Sequence, residues 1–319
     1  MRRLILPVLV LVLALCACSP KHLVIGAAAD ALAGEGSGWG TDDDPELVAS
    51  AVPFALKTID SLIAQEPDNP KLLVAGCSAY TQYGYAFVDQ PAQMSSDLKP
   101  AQVEFAHKRA MNLLARAYGY CVHGLDMRHE GFSSLIEKDP AAALKPMEKE
   151  DVPLLYWTAA SLALRIAGQK DNPELLSSLP RVGELGSRAL ELDEAWDHGS
   201  LHELMEAYEA SRPAAAGGSE QKAAVHRDAA LKESENKKLG PHVTWAEDIL
   251  VAKQDKDGFM KLLDQVLAYD VNQPEARDFR LANVLAQRRA LWLKNRVDDL
   301  FVDARSPGFL PVAMSEPRP

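Results

Sequence analysis

The chain is short of the patterns on which most protein chemistry depends. It has four cysteines in 319 residues. Cys16 and Cys18 lie one residue apart near the amino terminus, and no second pair with ligand spacing follows, which argues against a cysteine-built zinc site. A G-x-S-x-G elbow, a phosphate-binding glycine loop and a catalytic cysteine with its partners are all absent, so the sequence points away from an enzyme and requires no cofactor. After the first apolar run, none approaches the roughly 20 residues that a membrane-spanning helix needs. Positive charge is scarce: 34 Lys and Arg against 45 Asp and Glu leave a net charge of −11. With no long basic run to offset it, this body repels phosphate backbones, and no nucleic-acid partner is expected. Convincing strand alternation is missing too.

The sequence begins with Arg2 and Arg3, followed by an apolar stretch from Leu4 to Ala17 broken only by Pro7. It is too short to cross a bilayer. It fits the charged and apolar regions of a secretory signal. Leu15-Cys16-Ala17-Cys18 resembles the lipobox of bacterial lipoproteins: an aliphatic residue, two small residues, then the cysteine that becomes lipidated. Cleavage before Cys16 would place the bulky Leu15 at the cut bond, whereas Cys18 has Ala17 there. Cys18 is therefore the expected lipidation site, with an ordinary secreted protein as the competing reading. Acyl chains contribute about 0.8 kcal/mol per buried methylene, so the mature chain is expected in the periplasm, tethered without a transmembrane helix. Ser19 follows where inner-membrane retention signals usually carry Asp. By analogy this favours the outer membrane.

The body reads as all-α. In TDDDPELVASAVPFALKTIDSL, Asp44 is a good N-cap, Pro45 fits the first helical position and Glu46 meets the positive end of the helix dipole. Capping accounts for the triple Asp better than a calcium site does. Further along, helix pairs follow one another with the logic of tetratricopeptide repeats, where small residues let paired helices approach. KLLVAGCSAYTQYGYAFV offers Gly76, Cys77 and Tyr80, and its partner HKRAMNLLARAYGY offers Ala110, Leu114 and Ala117. VPLLYWTAASLALRIAG pairs with a helix ending RALELDEAW, and later pairs run through HGSLHELMEAYEA, EQKAAVHRDAALKES, PHVTWAEDILVAKQ and DGFMKLLDQVLAYDVNQP. The expected architecture is an α-solenoid of degenerate tetratricopeptide-like pairs with terminal capping helices, the last being ARDFRLANVLAQRRALWLKNRVDDLF. The expected boundaries are a signal peptide over 1–17, a tether with a short helix over 18–43, the repeat domain over 44–303 and an irregular tail over 304–319. Loops within pairs, such as VDQPAQMSSDLKP, look long. Setting Cys77 at the helix contact then puts Cys121 about 16 Å along its helix from the facing point. A disulfide needs Cα atoms within about 7 Å, so this register predicts two free buried cysteines.

Candidate binding residues are aromatic. Tyr80, Tyr83 and Phe87 recur at three and four spacing around Gly84, and Tyr156 and Trp157 are adjacent on a later helix. Presented in a cavity they suit an amphipathic ligand with one polar end, although packing between repeats is the commoner use of such stripes. His198 and His202 could share a helix face, but Gly199 stands where a zinc protease carries its glutamate. In DKDG, register would put Lys253 at the first position of a calcium loop, so a helix cap is the better explanation of Asp257. His123 and His129 flank a segment read as a loop and could meet a ligand carboxylate.

Taken together, the lipobox at Cys18, DDDPELVASAVPFALKTIDSL, AGCSAYTQYGYAFV, HGLDMRHEGF, LYWTAASLAL, RALELDE and RLANVLAQRRALWL resemble the TatT components of TRAP transporters, which are periplasmic lipoproteins of degenerate tetratricopeptide repeats. The resemblance implies an accessory that binds the TRAP solute-binding protein, assembles as a homotrimer and holds an apolar or carboxylate-bearing ligand. A general envelope scaffold would use the same helical surfaces.

Overall fold

The computed structural model describes residues 39–302. Cys18, the signal segment and the 304–319 tail lie outside them. Every regular element among the described residues is helical. The main helices are α1 (Pro45–Ile63), α2 (Pro70–Gln82), α3 (Pro100–Arg128), α4 (Val152–Gly168), α5 (Leu179–Leu192), α6 (Ser200–Ala210), α7 (Glu220–Glu233), α8 (Gly240–Thr244), α9 (Lys256–Ala268) and α10 (Arg280–Asn295). α2 continues into a π-helical segment, Tyr83–Asp89, and α8 into another, Trp245–Leu250.

Local chemistry explains the helix starts. The Asp44 carboxylate accepts from Leu47 N–H at 2.9 Å, and the Asn69 side chain accepts from Lys71 and Leu72 N–H at 3.1 and 3.3 Å. Ser219 caps α7 through Lys222 N–H at 3.3 Å, and Asp255, not Asp257, caps α9 through Gly258 N–H at 2.9 Å. Each cap satisfies a backbone donor that has no partner inside its helix. Pro45, Pro70 and Pro100 each open a helix, where the missing proline N–H costs nothing.

Neighbours in sequence are neighbours in space: α1 packs on α2, α2 on α3, α3 on α4, α4 on α5, α5 on α6, and α6 on both α7 and α8. The central core joins Leu125, Phe132, Ile136, Leu154, Leu155, Leu162, Val182, Leu185 and Leu201. A second core near the carboxyl end joins Leu239, Val243, Phe259, Leu263, Leu293 and Phe301.

Two expectations require correction. Cys77 and Cys121 are joined in a disulfide, with Cα atoms 5.2 Å apart. The register had slipped because Ala110 was set opposite Cys77. A Cβ on Gly84 would lie 3.5 Å from the Ala110 carbonyl oxygen, and one on Gly76 would lie 2.8 Å from the Tyr120 ring. The two helices are therefore antiparallel with Ala110 opposite Gly84, which brings Cys121 onto Cys77. The supposed long loop is mostly helix, since Gln90–Met94 continues the π-helical segment and only Ser95–Lys99 connects to α3.

The second correction concerns the ends. α10 does not cap a free end; it docks on α1. Arg288 forks onto the Glu46 carboxylate, with one arm at 2.8 Å. Leu281 N–H donates to the Gly40 carbonyl at 3.0 Å, and Arg280 donates to the Thr41 carbonyl at 3.4 Å. Gln287 of α10 adds further ties, donating to the carbonyls of Val266 and Tyr269 at 2.9 and 2.8 Å. First and last helices meet, so the packed helices form a closed circuit.

Candidate functional site

Two groups of polar and aromatic side chains stand out, one on the π-helical segments and α10, the other on α4 and the turn before α6. The two π-helical segments contribute first. Widening a helix by one residue per turn re-aims side chains, and such segments recur at functional sites. Tyr85 lies in one, Glu247 and Asp248 in the other. Arg289 of α10 forks onto Glu247, with Nε donating to Oε2 at 3.0 Å. Tyr85 leaves 38 % of its surface accessible. Even so, burial is the leading cause that raises its hydroxyl pKa, opposed by Arg289 and reinforced by Glu247 and Asp248. Gln90 Nε2 donates to that hydroxyl at 2.7 Å, leaving the tyrosine proton free to donate. Asp248 is half-buried, and its carboxyl is pushed up to about 7 by burial and by Glu247, against Lys170 and Arg289.

The second group is built on α4. Tyr156 packs edge-on against Trp157 with centroids 4.7 Å apart and is tilted against Trp196 at 4.8 Å. All three are half-buried. The Tyr156 hydroxyl pKa is raised by burial, then by Glu203 and Asp197, with a hydrogen bond from Ser200 opposing. Trp196 is presented by an unusual turn: Asp197, His198 and Gly199 all have positive φ, at 47°, 53° and 84°. Asp197 and His198 are non-glycine residues in that region, a conformation that must be held by its surroundings. Lys238 holds it, donating to the Asp197 carbonyl at 3.0 Å and to Ser200 Oγ at 2.7 Å, and pairing with Glu203 at 2.8 Å.

Glu206 of α6 feels charges from both groups, Glu203 on one side and Asp248 on the other. It is fully buried, and neither carboxyl oxygen has a hydrogen-bond partner. Burial, then Glu203, push it up to about 9, with Asp248 and Asp228 adding and Arg227 opposing. At neutral pH it is a protonated acid.

The other residues singled out from the sequence sit elsewhere. Tyr80 is 1 % exposed, and its hydroxyl donates to Asp60 at 2.8 Å and accepts from Arg116 at 3.0 Å. Tyr83 is buried, stacked on Phe87 at 6.2 Å, and both pack into the core of α1, α2 and α3. Tyr156 and Trp157 are in ring contact and half-buried. His198 lies in the left-handed turn, while His202 faces His226 at 3.0 Å. His123 is on α3 beside Asp68, and His129, just past the end of α3, is bonded to the buried Asp151 at 2.8 Å. Among the described residues, no group of three or more His, Cys, Asp or Glu is placed to hold a metal ion. The sequence reading missed Tyr85, Trp196, Glu206 and Asp248; a lone Glu at an apolar helix position was the one available signal.

Two comparisons bear on this arrangement. The family model described as TRAP transporter T-component matches residues 41–301. A protein of Treponema pallidum (strain Nichols), named there only as uncharacterized, is 29 % identical over 268 residues, which is 82 % of each chain.

Proposed function

Since the chain belongs to the TRAP transporter T-component family, we propose that it works as a lipid-anchored periplasmic accessory that docks the TRAP solute-binding protein and holds a solute in its central recess. The family match over residues 41–301 carries this reading. Two structural observations support it. Half-buried aromatic surface at Tyr156, Trp157 and Trp196 and polar groups at Tyr85, Asp248 and Arg289 supply the mixture that small-molecule sites use. The Cys77–Cys121 disulfide suits an oxidising compartment. No helix among the described residues is long and apolar enough to cross a membrane, so in this reading anchoring falls to lipid on Cys18, with the outer membrane as the favoured address. The helix pairs are taken as degenerate tetratricopeptide-like units, whose faces suit protein docking. Leu47 and Phe54, seven residues apart on α1, are 57 % and 80 % exposed, and Leu47 borders a groove of about 350 Å³ with Trp39, Asp42, Val48 and Ala51. That face is available for the solute-binding protein or for self-assembly as a homotrimer.

Crosslinking in intact cells followed by mass spectrometry tests the reading. The expected product joins this chain to a TRAP solute-binding protein. Recovery of cell-wall enzymes alone would overturn it.

A further inference from the structure

Three elements meet at one imidazole. His107, in the second turn of α3, is half-buried, and both its ring nitrogens are occupied. Nε2 lies 2.8 Å from the carbonyl oxygen of Gly168, the last residue of α4. Nδ1 lies 2.8 Å from Oδ1 of Asp89, the last residue of the π-helical segment that carries Tyr85. Asp89 is buried, and its other oxygen accepts from Gln93 Nε2 at 2.8 Å. The approach to α4 depends on glycine: a Cβ at residue 168 would sit 3.0 Å from His107 Cε1 and 2.5 Å from Met111 Sδ.

A count of protons fixes the state of the ring. A carbonyl oxygen only accepts, so Nε2 carries a hydrogen; an ionised carboxylate only accepts, so Nδ1 carries one too. Imidazole is ordinarily the stronger base of the pair by more than two pH units, so the shared proton belongs to it and His107 is an imidazolium. The Gly168 carbonyl is one of the four that α4 leaves without an internal partner, at the negative end of its dipole, where a cation is favoured. Burial opposes the charge, but the bonds to Asp89 and Gly168 outweigh it and hold the pKa above the ordinary histidine value. Other charges keep away from the ring. Glu104, Lys108 and Arg109 on α3 are exposed, as are Lys170 and Asp171 past the end of α4, and Arg165 is laid over Tyr118 at 5.2 Å. Asp89 is the only carboxylate of the π-helical segment, and Gln90–Met94 carries no ionisable group.

A neutral imidazole has one N–H for these two acceptors, so losing the proton must break one arm. We propose that His107 is a pH-sensitive latch, clamping the segment that carries Tyr85 to the end of α4 while it is protonated and releasing one of the two when it is not. This device is independent of the transporter reading. Its sign is fixed: the latch is fully closed below the unfolded histidine pKa and opens as pH rises through the higher folded one.

The test follows the Cε1–H signals of the eight histidines in the purified full-length protein by NMR from about pH 5 to 9, with His107→Gln identifying the signal. His107 should titrate above about 6.5, and the backbone amides of Asp89 and Gln169 should move with the same midpoint. Asp89→Asn, which keeps the shape and removes the charge, should cut the proton affinity of His107 by about tenfold or more. The melting-temperature advantage of the parent over His107→Gln should be greatest below about pH 6.5 and shrink above the midpoint. A midpoint at or below the ordinary value, amides that ignore it, or a stability gap constant across the range would each overturn the proposal, the last by showing that the ring acts through packing alone. The parent titration and the His107→Gln comparison decide the matter even if Asp89→Asn does not fold.

Discussion

Reducing the Cys77–Cys121 bond should cost this protein a large share of its stability. The bridge spans 44 positions and ties α2 to α3. Closing a loop of that length in the unfolded chain removes about 4 kcal/mol of conformational freedom at 25 °C on the chain-entropy model. For a protein of this size each kcal/mol moves the melting temperature by about 2–4 °C, so reduction should lower it by roughly 8–16 °C. Both sulfurs are fully buried, so the reduced form is best made by unfolding with reductant, refolding with reductant present and comparing denaturant and thermal midpoints with those of the oxidised protein. Peptide mapping under non-reducing conditions should recover the Cys77 and Cys121 peptides as one crosslinked species. Two separate peptides would refute the pairing. A crosslinked species whose melting is unmoved by verified reduction would refute the energetic argument.

Glu206→Gln should be nearly neutral at pH 5 and progressively more stable than the parent towards pH 9, measured by denaturant midpoints. The folded carboxyl titrates near 9 while the unfolded one titrates near 4.5, so the folded state holds the extra proton and the parent loses stability as pH rises between them. Equal pH slopes for parent and variant would contradict this. Gly199→Ala should lose more than about 2 kcal/mol: an L residue in the left-handed region costs about 1–2 kcal/mol, and the new Cβ would sit 3.0 Å from Ala230 Cα. A thermal shift smaller than that of an exposed control substitution would count against it. Glu46→Ala should cost only about 0–1 kcal/mol, because exposed ion pairs are weak. It should nevertheless speed hydrogen exchange at the Leu281 amide, which is bonded to Gly40; unchanged exchange there would show that the closure does not depend on the Glu46–Arg288 fork.

What the sequence made legible was local. Asp44 before Pro45 and Asn69 before Pro70 announce helix starts because the cap and the donors it satisfies lie within three positions. The apolar spacing of Ala110, Leu114 and Ala117 likewise shows which face of α3 is buried. Relations between helices were less accessible. Tyr85, two positions from Tyr83 and so on the opposite side of the helix, lay outside the stripe of Tyr80, Tyr83 and Phe87 that the spacing marked for the core. Helix continuing through Pro91 removed the expected loop, and with it the register that kept Cys77 from Cys121. At the site, Tyr156 and Trp157 were visible as adjacent rings on one helix. Trp196 was not, because it sits beside left-handed backbone at Asp197 and His198 that is held by contacts from Lys238, Ser200 and Phe279, distant in sequence or invisible to helical spacing. The Glu46–Arg288 contact spans 242 positions, and nothing local to either residue announces it.

The meeting of α1 with α10 also limits how such a chain can change in size. An open array tolerates an added or deleted hairpin, since the new unit merely shifts where the end falls. Here a duplicated hairpin would have to be accommodated all the way round, or the Gly40–Leu281 and Glu46–Arg288 contacts would be pulled apart. Growth is therefore confined to outward connections such as the one between α6 and α7, and the number of helices in the circuit is held fixed by its own closure.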